Sequence, residues 1–321
     1  MKKFIVLISL LGLSLATWAC AVFPIVHNYY MMNVINTEQT EPESPDFQTS
    51  LASYWQAYTG VKEGFFDDDC ALLIEAAKLK KDAEMLAYVR HIAKYQHICQ
   101  RRKEQWDYPS KDELALQKAQ IQLMRKAALN YSGQRLAAQY TLLLMRSYLL
   151  DANAKGILVA WTMRASRLPT SIYKEMCRNI YAYALLNSGR REEALAIYVS
   201  QGDAASIQWA TKGFEDYDGI RSFYHENPNS PALRWLVQNF VNNVQEAMDD
   251  EPYMEPGDKE NAFKREASNF VAFAERVVRD GKSYEPALWK TASAMISYLN
   301  GDLKKAARVV RDAAIKAGAP E

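Results

Sequence analysis

The stretch YAYALLNSGRREEALAIY, Tyr181 to Tyr198, joins two apolar patterns through a single glycine. Gly189 ends the first pattern, and two glutamates follow in the first turn of the second, where carboxylates interact favourably with a helix dipole. Ala194 and Tyr198 come five and nine residues after the glycine, and Ala182 comes seven residues before it. The stretch therefore predicts two helices joined by a tight turn, with small residues where the helices approach each other closely.

The same spacing returns near the end of the chain in ISYLNGDLKKAARVVRDAA, residues 296–314. Gly301 is followed at five residues by Ala306 and at twelve by Ala313, and Ala294 precedes it by seven. Val310 occupies the position of the aromatic residue. We interpret the alanines, the two glycines and Tyr198 as residues that pack one helix against the next.

These two segments resemble tetratricopeptide repeats, whose helix-turn-helix unit places small residues, a turn glycine and an aromatic residue at such spacings. A weaker third match has Tyr148, Trp161 and Pro169 in place, but Ala152 replaces the glycine and Ile157 replaces the small residue. The two better matches lie 112 residues apart, which is not a multiple of the usual period of about 34. The resemblance implies a right-handed superhelix of stacked helix pairs that presents a face to a peptide or protein.

The rest of the chain also has helical periodicity, and no alternating stretch bounded by hairpin turns occurs. We therefore predict an all-α fold, an irregular α-solenoid of stacked antiparallel helix pairs, over residues 47–321, with a sub-boundary near 249–260. Residues 22–46 are predicted to be an extended lead-in or linker. Beyond residue 130, the predicted helices are 134–150, 156–168, 171–187, 190–200, 204–211, 219–225, 231–248, 261–280, 285–299 and 303–316.

The clearest start of a helix is at Ser110, which is followed three residues later by Glu113. This spacing is typical of a capping box, in which each side chain satisfies a free backbone donor of the other residue. Gly133 comes just past the predicted end of that helix, where a left-handed residue is expected.

The N-terminus has the pattern of a bacterial secretory signal peptide over residues 1–21, with two lysines before an apolar core. Cleavage after Ala21 and lipidation of Cys20 are competing outcomes, and an uncleaved anchor over residues 4–26 is a third. Each outcome places the rest of the chain outside the cytoplasm. We predict an exported protein that is periplasmic, tethered to the outer membrane or extracellular.

Composition and motifs indicate no catalytic, cofactor-binding or metal-binding residue. Lysine and arginine number 39 against 38 acidic residues, so the charge gives no argument for binding nucleic acid. His91 and His97 lie six residues apart on one predicted helix and point in different directions. Cys70, Cys99 and Cys177 are interpreted as small buried residues, with a bridge between the first two left open.

The segment that follows the leader contains Tyr29 and Tyr30, which are candidates for contact with a partner. The alternative is that this segment packs on the first helix pair and covers its apolar end. We expect a non-catalytic scaffold that binds a protein or peptide of the envelope or exterior, with no cofactor and no nucleic acid. Membrane contact is expected only through an N-terminal lipid or anchor. The alternatives are an α-helical envelope enzyme that acts on polysaccharide through a carboxylate pair, and a structural assembly subunit.

Overall fold

The chain is helical in the computed structural model, which describes residues 30–35, 47–61, 70–100, 109–249 and 258–316. Within these ranges 77% of the residues are in helices and none is in a β-strand. The all-α prediction is therefore confirmed. The predicted signal peptide, Cys20 and Tyr29 lie outside the described residues.

The described residues form fourteen α-helices and one short 3-10 helix, which lies between the sixth and seventh α-helices. In chain order they are α1 Phe47–Thr59, α2 Ala71–Leu79, α3 Ala83–Gln100, α4 Lys111–Asn130, α5 Ala137–Leu150, α6 Ala154–Met163, the 3-10 helix Ala165–Arg167, α7 Ile172–Leu186, α8 Arg191–Gln201, α9 Ala204–Ala210, α10 Tyr217–Glu226, α11 Leu233–Asp249, α12 Asp258–Asp280, α13 Pro286–Leu299 and α14 Leu303–Lys316.

The start of α4 follows the prediction and its end does not. The capping box is present, since Ser110 Oγ accepts the amide of Glu113 while the carboxylate of Glu113 accepts the amide of Ser110. After α4, however, the chain turns extended at Tyr131, and Gly133 is not left-handed. Glycine is favoured at position 133 by lack of space and not by a left-handed backbone. A Cβ there would lie 2.4 Å from the Tyr131 hydroxyl.

Five turns between helices share one backbone geometry. Each has a left-handed residue whose amide bonds to the carbonyl three residues before it, and the next amide bonds to the carbonyl five residues before itself. This is the pattern of a Schellman motif, which satisfies carbonyls at a helix end. The left-handed residues are Lys81, Ala152, Gly189, Gly202 and Gly301.

The residue after each of these turns begins the next helix. Asp82, Asn153, Asp203 and Asp302 each accept a backbone amide three residues later through the side chain. Such N-caps satisfy donors that the first helical turn leaves free. One helix therefore ends and the next begins within about three residues, which brings the two helices side by side.

Contacts join most consecutive helices and also helices that are two apart. The second kind links α3 to α5, α5 to α7, α9 to α11, α10 to α12 and α11 to α13. The apolar core divides into an N-terminal cluster and a C-terminal cluster. Helix α7 belongs to both clusters, because Cys177 and Ala184 face the first while Ala182 and Leu185 face the second.

The core also continues across the predicted sub-boundary near 249–260. Phe240 of α11 and Phe270 of α12 stack with ring centroids 4.6 Å apart. Both rings belong to the C-terminal cluster.

Helix α1 lies against helices that are far from it in sequence. Tyr54 makes an edge contact with Tyr173 of α7, and its hydroxyl accepts a hydrogen bond from Gln139 of α5 at 2.8 Å. The next residue, Trp55, stacks against Tyr88 of α3. One helix thereby covers part of α3, α5 and α7, the row of helices joined by contacts two apart.

Cys70, Cys99 and Cys177 form no disulfide with one another. Cys70 and Cys177 are buried, as the sequence predicted, and the Cys70 thiol donates to Gln96 at 2.7 Å. Cys99 is exposed, so that part of the prediction is wrong. It lies in the last turn of α3, where the neighbouring residue Ile98 faces the core instead.

Candidate functional site

Residues 30–35 contain no helix and lie along α11, more than 200 positions later in the chain. The amide side chain of Gln238 holds the end of this segment. Its Oε1 accepts the backbone amides of Val34 at 2.5 Å and Ile35 at 2.7 Å, and its Nε2 donates to the Ile35 carbonyl at 2.9 Å. One side chain therefore pairs with three main-chain groups.

Two further amide side chains continue the contact toward the beginning of the segment. Asn242 Nδ2 donates to the carbonyl of Met32 at 3.2 Å, and Gln245 Oε1 accepts the amide of Met31 at 3.0 Å. We call Gln238, Asn242 and Gln245 the amide row. Because their partners are backbone groups, the amide row holds the main chain of this non-helical segment, which bends at Met31, Val34 and Ile35, without reading the side chains.

The amide row follows from helix geometry. Its members are spaced by four and then three residues, which places them on one face of α11. All three are buried, at 1%, 7% and 7% exposure. Burying an amide without a hydrogen bond costs about 1–3 kcal/mol. A helix face that buries three amides therefore needs polar partners, and here the backbone of segment 30–35 supplies them.

Two apolar side chains anchor the segment. Met32 and Ile35, at 2% and 6% exposure, belong to the C-terminal core cluster. Val34 between them is 47% exposed. The site therefore combines main-chain hydrogen bonds with two apolar positions that are three residues apart.

Tyr30 lies at the beginning of the segment, and its hydroxyl donates to a Glu246 carboxylate oxygen at 2.6 Å. Burial, and secondly the hydrogen bond and negative charge of Glu246, together raise the pKa of Tyr30 to about 12. The ring is half-buried. The contact with a partner predicted for Tyr30 is thus an intramolecular contact with α11 in this chain.

Of the segment for which packing on the first helix pair was the alternative, the structure describes only residues 30–32, and these bond to α11. Segment 30–35 lies on α11, while α1 occupies the N-terminal row of helices. The amide row was not recognised from the sequence, because the backbone groups that it binds lie more than 200 positions away in the chain. The available signal was a buried helix pattern, residues 235–245, interrupted at helical spacing by three amides.

An apolar cavity of about 680 Å³ opens beside the segment, between α13 and α14. Met31 forms part of its wall, together with Ala294, Met295, Tyr298 and Ala306. Lys290 and Arg311 also line the cavity. Two residues that the sequence marked for helix packing, Ala294 and Ala306, therefore also shape this space.

The other residues marked for helix packing lie in the core or at turns. Ala182, Ala194 and Tyr198 are buried, and Gly189 and Gly301 take the left-handed turn positions with φ of 76° and 79°. The backbone of Ala313 is part of α14, but its side chain lies outside what the structure describes.

The described acidic groups with a shifted pKa suit ion pairs better than acid catalysis. The pKa of Asp82 is lowered to about 2, and the main cause is hydrogen bonding to Arg135. The pKa of Glu84 is lowered mainly by Tyr131, and that of Glu193 by Arg190. A general acid needs a raised pKa, which none of these three carboxyl groups has. Within the described ranges, no three His, Cys, Asp or Glu side chains converge on a point where a metal ion would bind.

Comparison of the chain with protein-family models, with curated proteins and with solved structures finds no match. Among the helices that the structure describes, none combines the length and apolar character needed to cross a bilayer.

Proposed function

We propose that the chain is an exported, non-catalytic scaffold that binds a non-helical peptide, or an unfolded segment of a protein, along α11. The observation that carries the proposal is the amide row, which makes five hydrogen bonds to the main chain of segment 30–35. In this structure the chain's own segment occupies the site. The partner would be a peptide in the cell envelope or outside the cell.

The helix arrangement supports an α-solenoid of the tetratricopeptide type as the framework for this site. Five similar turns, with left-handed residues from Lys81 to Gly301, join helices that lie side by side. Contacts between odd-numbered helices two apart, such as α5 with α7 and α11 with α13, would then form the inner row of the solenoid. In such an array α11 belongs to the row that holds the ligand.

The energetics of the site favour binding of modest strength. Each hydrogen bond contributes about 0.5–1.5 kcal/mol net, and each buried apolar side chain contributes about 1.5–3 kcal/mol. Ordering the backbone costs about 1–2 kcal/mol per residue, which offsets much of the gain over six residues. Covalent connection favours the chain's own segment, since a tethered ligand acts at an effective concentration on the order of millimolar.

A test requires a chain whose own segment has left the site. We define the released variant as the full chain carrying Met32→Asp and Ile35→Asp, which places charges at the two buried anchors. A milder pair, Met32→Ala and Ile35→Ala, serves if the first variant loses its helical circular dichroism. The probe is a fluorescein-labelled peptide of native residues 28–37, and binding is measured by fluorescence polarisation.

We expect the peptide to bind the released variant at one site and to bind the wild-type chain at least tenfold more weakly. Adding Asn242→Ala to the released variant should weaken binding, while Asn243→Ala, an exposed neighbour of the same type, should leave it unchanged. Absence of binding to both helical released variants, or equal effects of the two asparagine substitutions, would refute the proposal.

A further inference from the structure

The chain's own segment satisfies the α11 site incompletely. Asn242 Oδ1 is buried and has no hydrogen-bond partner in the structure, although Asn242 Nδ2 bonds to Met32. Met31 forms only part of the wall of the apolar cavity of about 680 Å³ beside it. This volume lies within the range of about 300–1,000 Å³ that is usual for small-ligand sites.

A competing peptide has to overcome the advantage of the tethered segment. With the same sequence it would make the same contacts, but it would face a competitor at an effective concentration on the order of millimolar. A competitor therefore needs a contact that the chain's own segment lacks. The cavity beside Met31 offers such a contact, because Met31 is one of the residues that line it.

The walls of the cavity indicate which side chain fits there. Ala294 and Ala306 leave space, and Met295 and Tyr298 provide polarisable apolar surface. Lys290 and Arg311 add two cations, and cations favour the face of an aromatic ring. An aromatic side chain also buries about 150–250 Å², so a cavity of this size rewards it.

We propose that this cavity is the specificity pocket of the α11 site, and that the preferred ligand is a non-helical peptide with an aromatic side chain at the position of Met31. The inference rests on the proposed function. Segment 30–35 then acts as a weak internal ligand that such a peptide displaces, whereas a peptide with a small residue at this position leaves it in place.

The experiment compares three peptides of residues 28–37, namely the native sequence, Met31→Trp and Val34→Trp, on the released variant. We expect Met31→Trp to lower the Kd at least fivefold. Val34→Trp should change it less than twofold, because Val34 is exposed and lies outside the cavity wall. On the wild-type chain, the Met31→Trp peptide should compete with the internal segment more strongly than the native peptide does.

The pocket itself is tested in the released variant with Tyr298→Ala, whose ring lines the cavity, and with Tyr284→Ala, whose exposed ring does not. The first substitution should remove most of the gain of the Met31→Trp peptide, and the second should leave it. In the full chain, Met31→Trp should raise the thermal midpoint by about 2 °C.

The outcomes separate the two proposals. If the native peptide binds and Met31→Trp gives no gain, the pocket inference is wrong and the proposed function stands. If no peptide binds, both are wrong. If the wild-type chain self-associates and Tyr298→Lys restores the monomer, a second copy covers the cavity, and the pocket inference is likewise overturned.

Discussion

At the scale of single residues, the α11 site depends on buried amides that pair with backbone. Gln238 makes three of the five hydrogen bonds to the segment, accepting two and donating one. It shows why a buried polar side chain on a helix marks a function more clearly than the apolar residues around it. An apolar residue is explained by packing alone, whereas a buried amide requires a partner.

We expect Gln238→Leu to lower the free energy of unfolding by about 2 kcal/mol, because three main-chain groups of the segment lose their partner. Urea denaturation followed by circular dichroism measures the change. The matched control is Asn243→Leu on the same helix, which is exposed and should shift the value by less than about 0.5 kcal/mol. Equal losses in the two variants would contradict the account of the amide row.

Tyr30 gives the site a dependence on alkaline pH. Its pKa is raised from about 10 to about 12 in the docked segment, so docking favours the protonated phenol. The stabilising contribution is therefore complete below pH about 10 and is lost as the pH rises toward about 12. The urea midpoint of the wild-type chain should approach that of Tyr30→Phe across this window. A constant difference between the two chains from pH 9 to 12 would show that the Tyr30 contact does not titrate.

At the scale of elements, five turns use the same left-handed position with different residues. The sequence located Gly189 and Gly301 and indicated Ala152 as a replacement for glycine. The structure places Ala152 in the left-handed conformation, with φ of 51°. It also adds Lys81 and Gly202, which the repeat spacing did not identify.

Substitutions at two of these turns should act with opposite signs. Ala152→Gly should raise the free energy of unfolding by about 0.5–1 kcal/mol, because it removes a left-handed conformation that a Cβ disfavours. Gly189→Ala should lower it by about 1 kcal/mol through backbone strain alone, since no atom lies within 4 Å of the added Cβ. Thermal denaturation of the two variants measures both changes, and effects of the same sign would contradict this account.

Helices and caps were predictable from the sequence because they depend on neighbouring residues. The capping box at Ser110 and the turn at Gly189 are examples. The position of segment 30–35 was not predictable, since hydrogen bonds to Gln238 connect residues about 200 positions apart. The left-handed conformation predicted for Gly133 is wrong, because the Tyr131 hydroxyl, held by a hydrogen bond to Glu84 that lies 47 positions earlier, occupies the space beside it.

At the scale of the whole molecule, α7 connects the two core clusters. Its residues Cys177 and Ala184 face one cluster, and Ala182 and Leu185 face the other. The N-terminal part of the chain returns to both halves, with α1 on the helices around Tyr173 and segment 30–35 on α11. These long-range contacts should make unfolding cooperative across the chain.

Leu195→Ala tests this coupling from the C-terminal cluster. The side chain is fully buried in α8, so its truncation should cost about 3 kcal/mol. Amide hydrogen exchange should accelerate in α5 as well as in α11, because α7 transmits the loss to the other cluster. The control is Val159→Ala at a position that is 55% exposed. Faster exchange confined to α11 would show that the halves unfold separately.

The central claim is that side chains of α11 bind a peptide through the main chain of the peptide, and amide exchange of a bound peptide tests it most directly. The peptide of residues 28–37, labelled with nitrogen-15, is added to the unlabelled released variant, and exchange is followed by nuclear magnetic resonance. The account predicts slow exchange at the positions of Met31, Val34 and Ile35, whose amides pair with the amide row in the intact chain. Fast exchange at all three positions in a peptide shown to be bound would contradict it.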